Sequence, residues 1–147
     1  MKFFDTKKSD EFIIIIGCGR LGANLANTLS DKDGNVLIMD TTKDAFRRLS
    51  ADFGGLSVVG DGTDLDTLKN AQIENAYAVI AVTNDDNTNI MIAQLARDMF
   101  NVKNVIARLY DPERETVYQE LGIDTICPAV LSAKEVDKLL QQRAEGK

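Results

Sequence analysis

Six short apolar runs constrain this chain more than any other feature: Phe12 to Ile16, Val36 to Met39, Leu56 to Val59, Tyr77 to Val82, Val105 to Ala107 with Leu109, and a stub at Thr125-Ile126. Each is apolar on both faces. A strand with one wet face alternates apolar with polar residues, so these runs predict strands of a parallel sheet covered by helices on both sides.

Between the runs, Arg20 to Ser30, Thr42 to Asp52, Asp64 to Ala71, Asn87 to Phe100 and Pro112 to Leu121 have helical periodicity. Several ends carry recognisable chemistry. Thr63, ahead of Asp64-Leu65-Asp66, suits a helix start. Asp111 can cap a helix that has Pro112 at its first position, and Gly34 suits a stop after the first helix. Strands alternating with helices in this way predict an α/β fold, a doubly wound parallel sheet of six strands of Rossmann type, because right-handed crossovers impose its two-halved order. Beyond it, Leu131 to Arg143 places Leu131, Val136, Leu139 and Leu140 near helical spacing among polar residues and predicts an amphipathic helix. The expected organisation is a polar lead-in (1–10), a Rossmann-type domain (11–130) and that helix with its tail (131–147).

The 147 residues suffice for one domain, and with 44% of them hydrophobic the core needs no metal or disulfide. Histidine is absent. That removes the commonest general acid–base, the commonest zinc ligand and every Ser-His or Cys-His pair, so no metal site is expected. Seventeen Lys and Arg against 23 Asp and Glu leave a net charge of −6, and no basic run exceeds Arg47-Arg48. Nucleic acid is not an expected partner. Cys18 and Cys127 read as reduced cytosolic thiols, and the apolar runs fall far short of the ~20 residues that span a bilayer.

Gly17-Cys18-Gly19-Arg20-Leu21-Gly22 is a full GxGxxG that follows the first run and opens the first helix. In that context the first Gly makes the tight turn, the second lets a pyrophosphate reach the backbone, and the third lets helix and strand pack closely. Free N–H groups and the positive end of the helix dipole then face the phosphates. Asp40 ends the second run 18 residues after Gly22, where an acid accepts hydrogen bonds from an adenosine ribose. Its charge repels a 2′-phosphate, and Thr41 and Thr42 follow it rather than Arg. The expected ligand is therefore NAD(H) or another adenine nucleotide rather than NADP(H).

Gly60-Asp61-Gly62-Thr63 ends the third run, either as a nucleotide contact or as a turn into the next helix. Thr83-Asn84-Asp85-Asp86 ends the fourth, where Asn84 or Asp85 can cap the following helix, contact a ligand, or do both. A dehydrogenase would also need a substrate site and an acid–base group. None of Tyr77, Tyr110 and Tyr118 has a Lys four residues on, and no residues are left for a second domain. No catalytic residue is assigned; the alternative is the cofactor-binding half of an NAD-dependent oxidoreductase. The Asn87 to Phe100 helix is apolar over more than one side, which suits either a subunit interface or burial under the C-terminal segment.

The combination of Gly17 to Gly22, Asp40, Gly60 to Thr63, Ala81-Val-Thr-Asn-Asp85 with Asn89, Asn104-Val-Ile-Ala-Arg108, and Leu121 to Asp124 closing at Pro128 resembles the TrkA N-terminal or RCK (regulator of potassium conductance) family, over about Phe12 to Leu140. The resemblance implies a cytoplasmic regulatory subunit that binds NAD(H) or ATP, ADP or AMP and gates a potassium transporter or channel. It implies a homodimer or larger ring against a membrane-embedded potassium-translocating subunit at the inner face of the cell membrane. By the same resemblance Gly17, Gly19 and Gly22 sit under the phosphates, Arg20 reaches phosphate of its own or a neighbouring subunit, and Asp40 takes the ribose. Asp61 and Thr83 to Asp85 line the remaining pocket, and Arg108 is a further nucleotide or interface contact. Leu131 to Arg143 matches the family's crossover helix. Family members commonly continue into a smaller C-terminal domain; the resemblance then implies either a separate polypeptide carrying it or a truncated chain.

Overall fold

The computed structural model describes residues 11–31 and 35–146. Six parallel strands, β1 (Phe12–Ile16), β2 (Asn35–Asp40), β3 (Leu56–Val59), β4 (Ala78–Ala81), β5 (Asn104–Arg108) and β6 (Asp124–Ile126), form one sheet in the order β3-β2-β1-β4-β5-β6. This is the doubly wound order expected from the apolar runs. Strand order reverses between β1 and β4, where Ile13 to Ile16 pair in register with Ala78 to Ala81.

Alternation along each central strand feeds two cores. Ile14, Ile16, Leu37, Met39, Val79 and Ala81 face one, under helices α2 (Leu65–Asn70) and α3 (Asp86–Gln94). Ile15, Val36, Ile38, Ile80 and Val82 face the other, under α1 (Arg20–Asp31), which presents Ala23 and Ala26. Ile14 and Ile15 are wholly buried, each worth about 1.5–3 kcal/mol of burial. Against β6, α4 (Glu115–Glu120) follows a 3-10 turn at Pro112–Arg114, which the Asp111 carboxylate caps by accepting from the Glu113 N–H at 3.0 Å.

Four elements differ from expectation. The Thr42 to Asp52 segment forms a 3-10 helix only over Lys43–Arg48, without a buried residue. A segment that does not sink into the core lacks the packing that lengthens amphipathic helices. Strand β3 is not covered on both faces: it is the sheet's edge, and Leu56 and Val59 are exposed. Helix α3 gives way to a π-helical turn at Leu95–Met99, after which Asn101 takes a left-handed conformation (φ 57°) and the Val102 N–H bonds the Ala96 carbonyl. The last helix, α5 (Pro128–Glu145), begins three residues before Leu131. No residue of α5 is buried, and Leu131, Val136, Leu139 and Leu140 are exposed. The polar lead-in 1–10 and the helix stop at Gly34 lie outside the described residues. No helix among the described residues is long and apolar enough to cross a membrane.

Gly22, in the first turn of α1, packs closely on the glycine loop. A Cβ there would overlap the Gly17 carbonyl oxygen and stand 3.3 Å from Val82 Cγ2. Gly22→Ala is therefore expected to destabilise by about 2 kcal/mol even though Ala is the better helix former by ~1 kcal/mol. Thermal unfolding should show a fall in Tm of roughly 5 °C.

Candidate functional site

The carboxyl ends of the strands open onto a cleft of about 440 Å³, within the ~300–1,000 Å³ usual for small-molecule sites. Its walls are the Gly17-Cys18-Gly19 loop, the β2 exit at Asp40, Thr41 and Thr42, the Gly60-Asp61-Gly62 turn, and Val82, Thr83, Asn84 and Arg108 across the reversal point. Ile16, Met39 and Ile92 supply apolar surface.

The loop's geometry is set by main-chain contacts. Gly17 has φ +111°, and a Cβ on it would come within 2.8 Å of the Thr83 nitrogen and the Val82 carbonyl. Only a residue without a side chain lets the loop rest on that peptide. The Gly17 N–H donates to the Met39 carbonyl at 2.8 Å. At Gly19 a Cβ would meet nothing within 4 Å, so its backbone faces open cleft.

Asp40 closes the loop from the β2 side. One carboxylate oxygen accepts from the Cys18 N–H at 2.8 Å and the other from the Thr42 N–H at 2.9 Å. Each oxygen keeps acceptor capacity for a further donor. The Cys18 thiol donates to the Ala45 carbonyl at 3.4 Å. Burial raises its pKa, the Asp40 carboxylate adds to the rise and Arg48 opposes it. The thiol stays protonated, and both cysteines are free and buried.

On the next strand end, Asp61 accepts from the Thr63 N–H (2.9 Å) and hydroxyl (2.7 Å), and these two bonds lower its pKa. Thr63 thus closes a turn on Asp61 instead of capping α2, whose N-cap residue is Asp64. Gly62 is buried, and a Cβ there would be 2.7 Å from Ile16 Cγ2. Asn84 and Asp85 divide the two roles open to them. Asn84 lines the cleft, whereas the Asp85 carboxylate caps α3 by accepting from the Thr88 hydroxyl (2.6 Å) and N–H (3.2 Å), bonds that lower its pKa.

Arg108 reaches back across the reversal point. One guanidinium nitrogen donates to the Val82 and Thr83 carbonyls at 2.9 and 2.8 Å, the Nε is buried without a protein partner, and the group lies 5.2 Å from the Tyr110 ring centre. Arg20 and Leu21 do not line the cleft. Arg20 is exposed at the start of α1, and Leu21 packs against the α1-side core.

Five cleft residues beyond the sequence expectation come from helical segments given no site role. Asp44, Ala45 and Arg48 enter from the 3-10 helix, and Thr88 and Ile92 from α3. Asn89, fully buried beneath the Thr83 exit, was also not placed at the site. It has a signal: with Ile92 and Ala93 it forms the buried face of α3, a lone polar residue in an apolar stripe.

The model of the TrkA-N domain family matches residues 13–128. The chain belongs to the TrkA-N family. It is 47% identical over 134 residues to the Trk system potassium uptake protein TrkA of Streptomyces coelicolor, covering 90% of this chain and 60% of that protein. The chain thus spans well under two thirds of that relative's length. Among solved structures, the GsuK channel bound to NAD is 29% identical with a TM-score of 0.77, over 92% of this chain and 24% of that one. The TrkA-N domain of the inner membrane protein ybaL from Escherichia coli superposes with a TM-score of 0.79 at 21% identity, over 88% and 96% of the two chains, and shares the TrkA-N fold.

The depressed Asp61 pKa has a pH consequence. Its stabilisation is present above the unfolded carboxylate value of about 3.9 and is lost as pH falls through the lower folded value. The Tm difference between wild type and Asp61→Ala should therefore narrow below about pH 4 in thermal unfolding.

Proposed function

We propose that this TrkA-N domain is the nucleotide-reading part of a regulator of potassium transport, and that its ligand is NAD(H) or another adenine nucleotide such as ATP, ADP or AMP. The observation that carries the reading is the open backbone at Gly19, set between the Asp40 carboxylate on one side and Thr83, Asn84 and Arg108 on the other. The S. coelicolor relative's name and the NAD bound by the GsuK channel point the same way.

In this reading the Gly17 to Gly19 backbone and the α1 N-terminus receive phosphate, and Asp40 accepts from the ribose hydroxyls with the lone pairs that Cys18 and Thr42 leave over. Arg108 offers its spare donors to the second half of the ligand. Gly62 and Asp61 border the adenosine side. Such a subunit acts cytoplasmically against a membrane-embedded potassium-translocating partner. A ligand shifts the arrangement of protomers only through unequal affinity for the two arrangements.

Assembly follows from apolar surface. The exposed stripe of α5, with Met91 and Met99 exposed on and after α3, is proposed to pack against a second copy in a dimer or larger ring. Light scattering at tens of micromolar is expected to give at least a dimer; a monomer would remove this part of the reading.

Binding is tested by thermal shift. Millimolar NADH, NAD, ATP, ADP or AMP should raise the Tm of the wild type, because a ligand that binds only the folded state stabilises it. Asp40→Ala, which removes the ribose acceptor, should lose most of that shift. No response to any of the five nucleotides would overturn the proposal.

A further inference from the structure

Asn89 is the one buried polar side chain found among the described residues. Its amide is used completely. The oxygen accepts from the Thr83 N–H at 2.8 Å and the Thr83 hydroxyl at 2.6 Å, and the nitrogen donates to the Thr83 carbonyl at 3.1 Å and the Arg108 carbonyl at 3.0 Å. One side chain on α3 therefore joins the exits of β4 and β5, and Arg108 adds a second tie through its bonds to the Val82 and Thr83 carbonyls.

These ties belong to one half of the cleft. On the β2 side the glycine loop is held by the Met39 carbonyl and the Asp40 carboxylate, without Asn89. A mononucleotide needs chiefly the loop and the β2 side, whereas a dinucleotide crosses the reversal point and lies against the β4 exit as well. The two ligand classes thus draw on differently supported walls.

We propose that Asn89 is a positioning residue that fixes the Thr83 and Arg108 exits at the spacing a dinucleotide's second half requires, and so sets the preference for dinucleotides over mononucleotides. The inference rests on the reading of the cleft as an adenine-nucleotide site. Asn89→Asp preserves shape and the acceptor toward Thr83, but sets a carboxylate oxygen against the Thr83 and Arg108 carbonyls in place of a donor. Acceptors facing acceptors without a proton repel, and the two exits must separate or rotate.

Calorimetric titration of the whole chain with NADH and with AMP tests this. Asn89→Asp is expected to weaken NADH by about tenfold or more while AMP stays within about twofold. The ratio of the two affinities is the readout, since a role confined to stability would leave it unchanged. Equal losses for both ligands, or no loss for either, overturn the proposal. Should that variant fail to fold, Thr83→Val removes the hydroxyl's 2.6 Å bond to Asn89 together with its longer 3.3 Å bonds with the Asp85 carbonyl and N–H and should shift the ratio the same way by about threefold; an unchanged ratio there overturns it. Wild-type protein that binds neither ligand defeats the adenine-nucleotide reading itself, a result separate from an unchanged ratio.

Discussion

The cleft depends on a contact between two stretches of main chain. Gly17 lies flat on the Val82–Thr83 peptide, so close that a single added carbon would stand 2.8 Å from three of its atoms. That contact joins the two halves of the sheet where their order reverses. Everything around it holds one of the two peptides in place. Met39 and Asp40 fix the loop from the β2 side, and Asn89 and Arg108 fix the strand exit from the other. Rigidity here comes from neutral and charge-assisted hydrogen bonds to backbone groups rather than from ion pairs, of which the described residues contain one, the exposed Arg47–Asp44 pair.

This economy suits a protein without histidine. Among the cleft's charged groups, the Asp40 and Asp61 carboxylates are already engaged with N–H or hydroxyl donors, and Arg48 and Arg108 line the same cleft. Asp61 and Asp85 are pushed below the ordinary carboxylate range and Cys18 is pushed up. Each of these groups is thereby held in the charge state it has at neutral pH.

Strand identity and order were legible because burial on both faces leaves an unmistakable apolar run, and the glycine loop because backbone contact admits no side chain. The exposure of β3 was not legible, since Leu56, Val58 and Val59 have the composition of a covered strand. The shortness of the 3-10 helix is not legible, because periodicity marks a face without saying whether anything packs on it. The neighbours of Thr63 suit a helix start, whereas its hydroxyl closes a turn on Asp61. Asn89 belongs to the pattern that carries the family resemblance, and its place in the apolar stripe of α3 marks it as a buried polar group, but which backbone groups it joins depends on the tertiary fold.

Helix α5 has a further consequence. None of its 18 residues is fully buried, so beyond its first turn the helix gains little from the chain's own core, although most helical stability in proteins comes from packing of an apolar face. In the proposed dimer or ring, a second copy seated on that stripe would also stabilise the helix, because helical stability in proteins comes chiefly from packing of an apolar face.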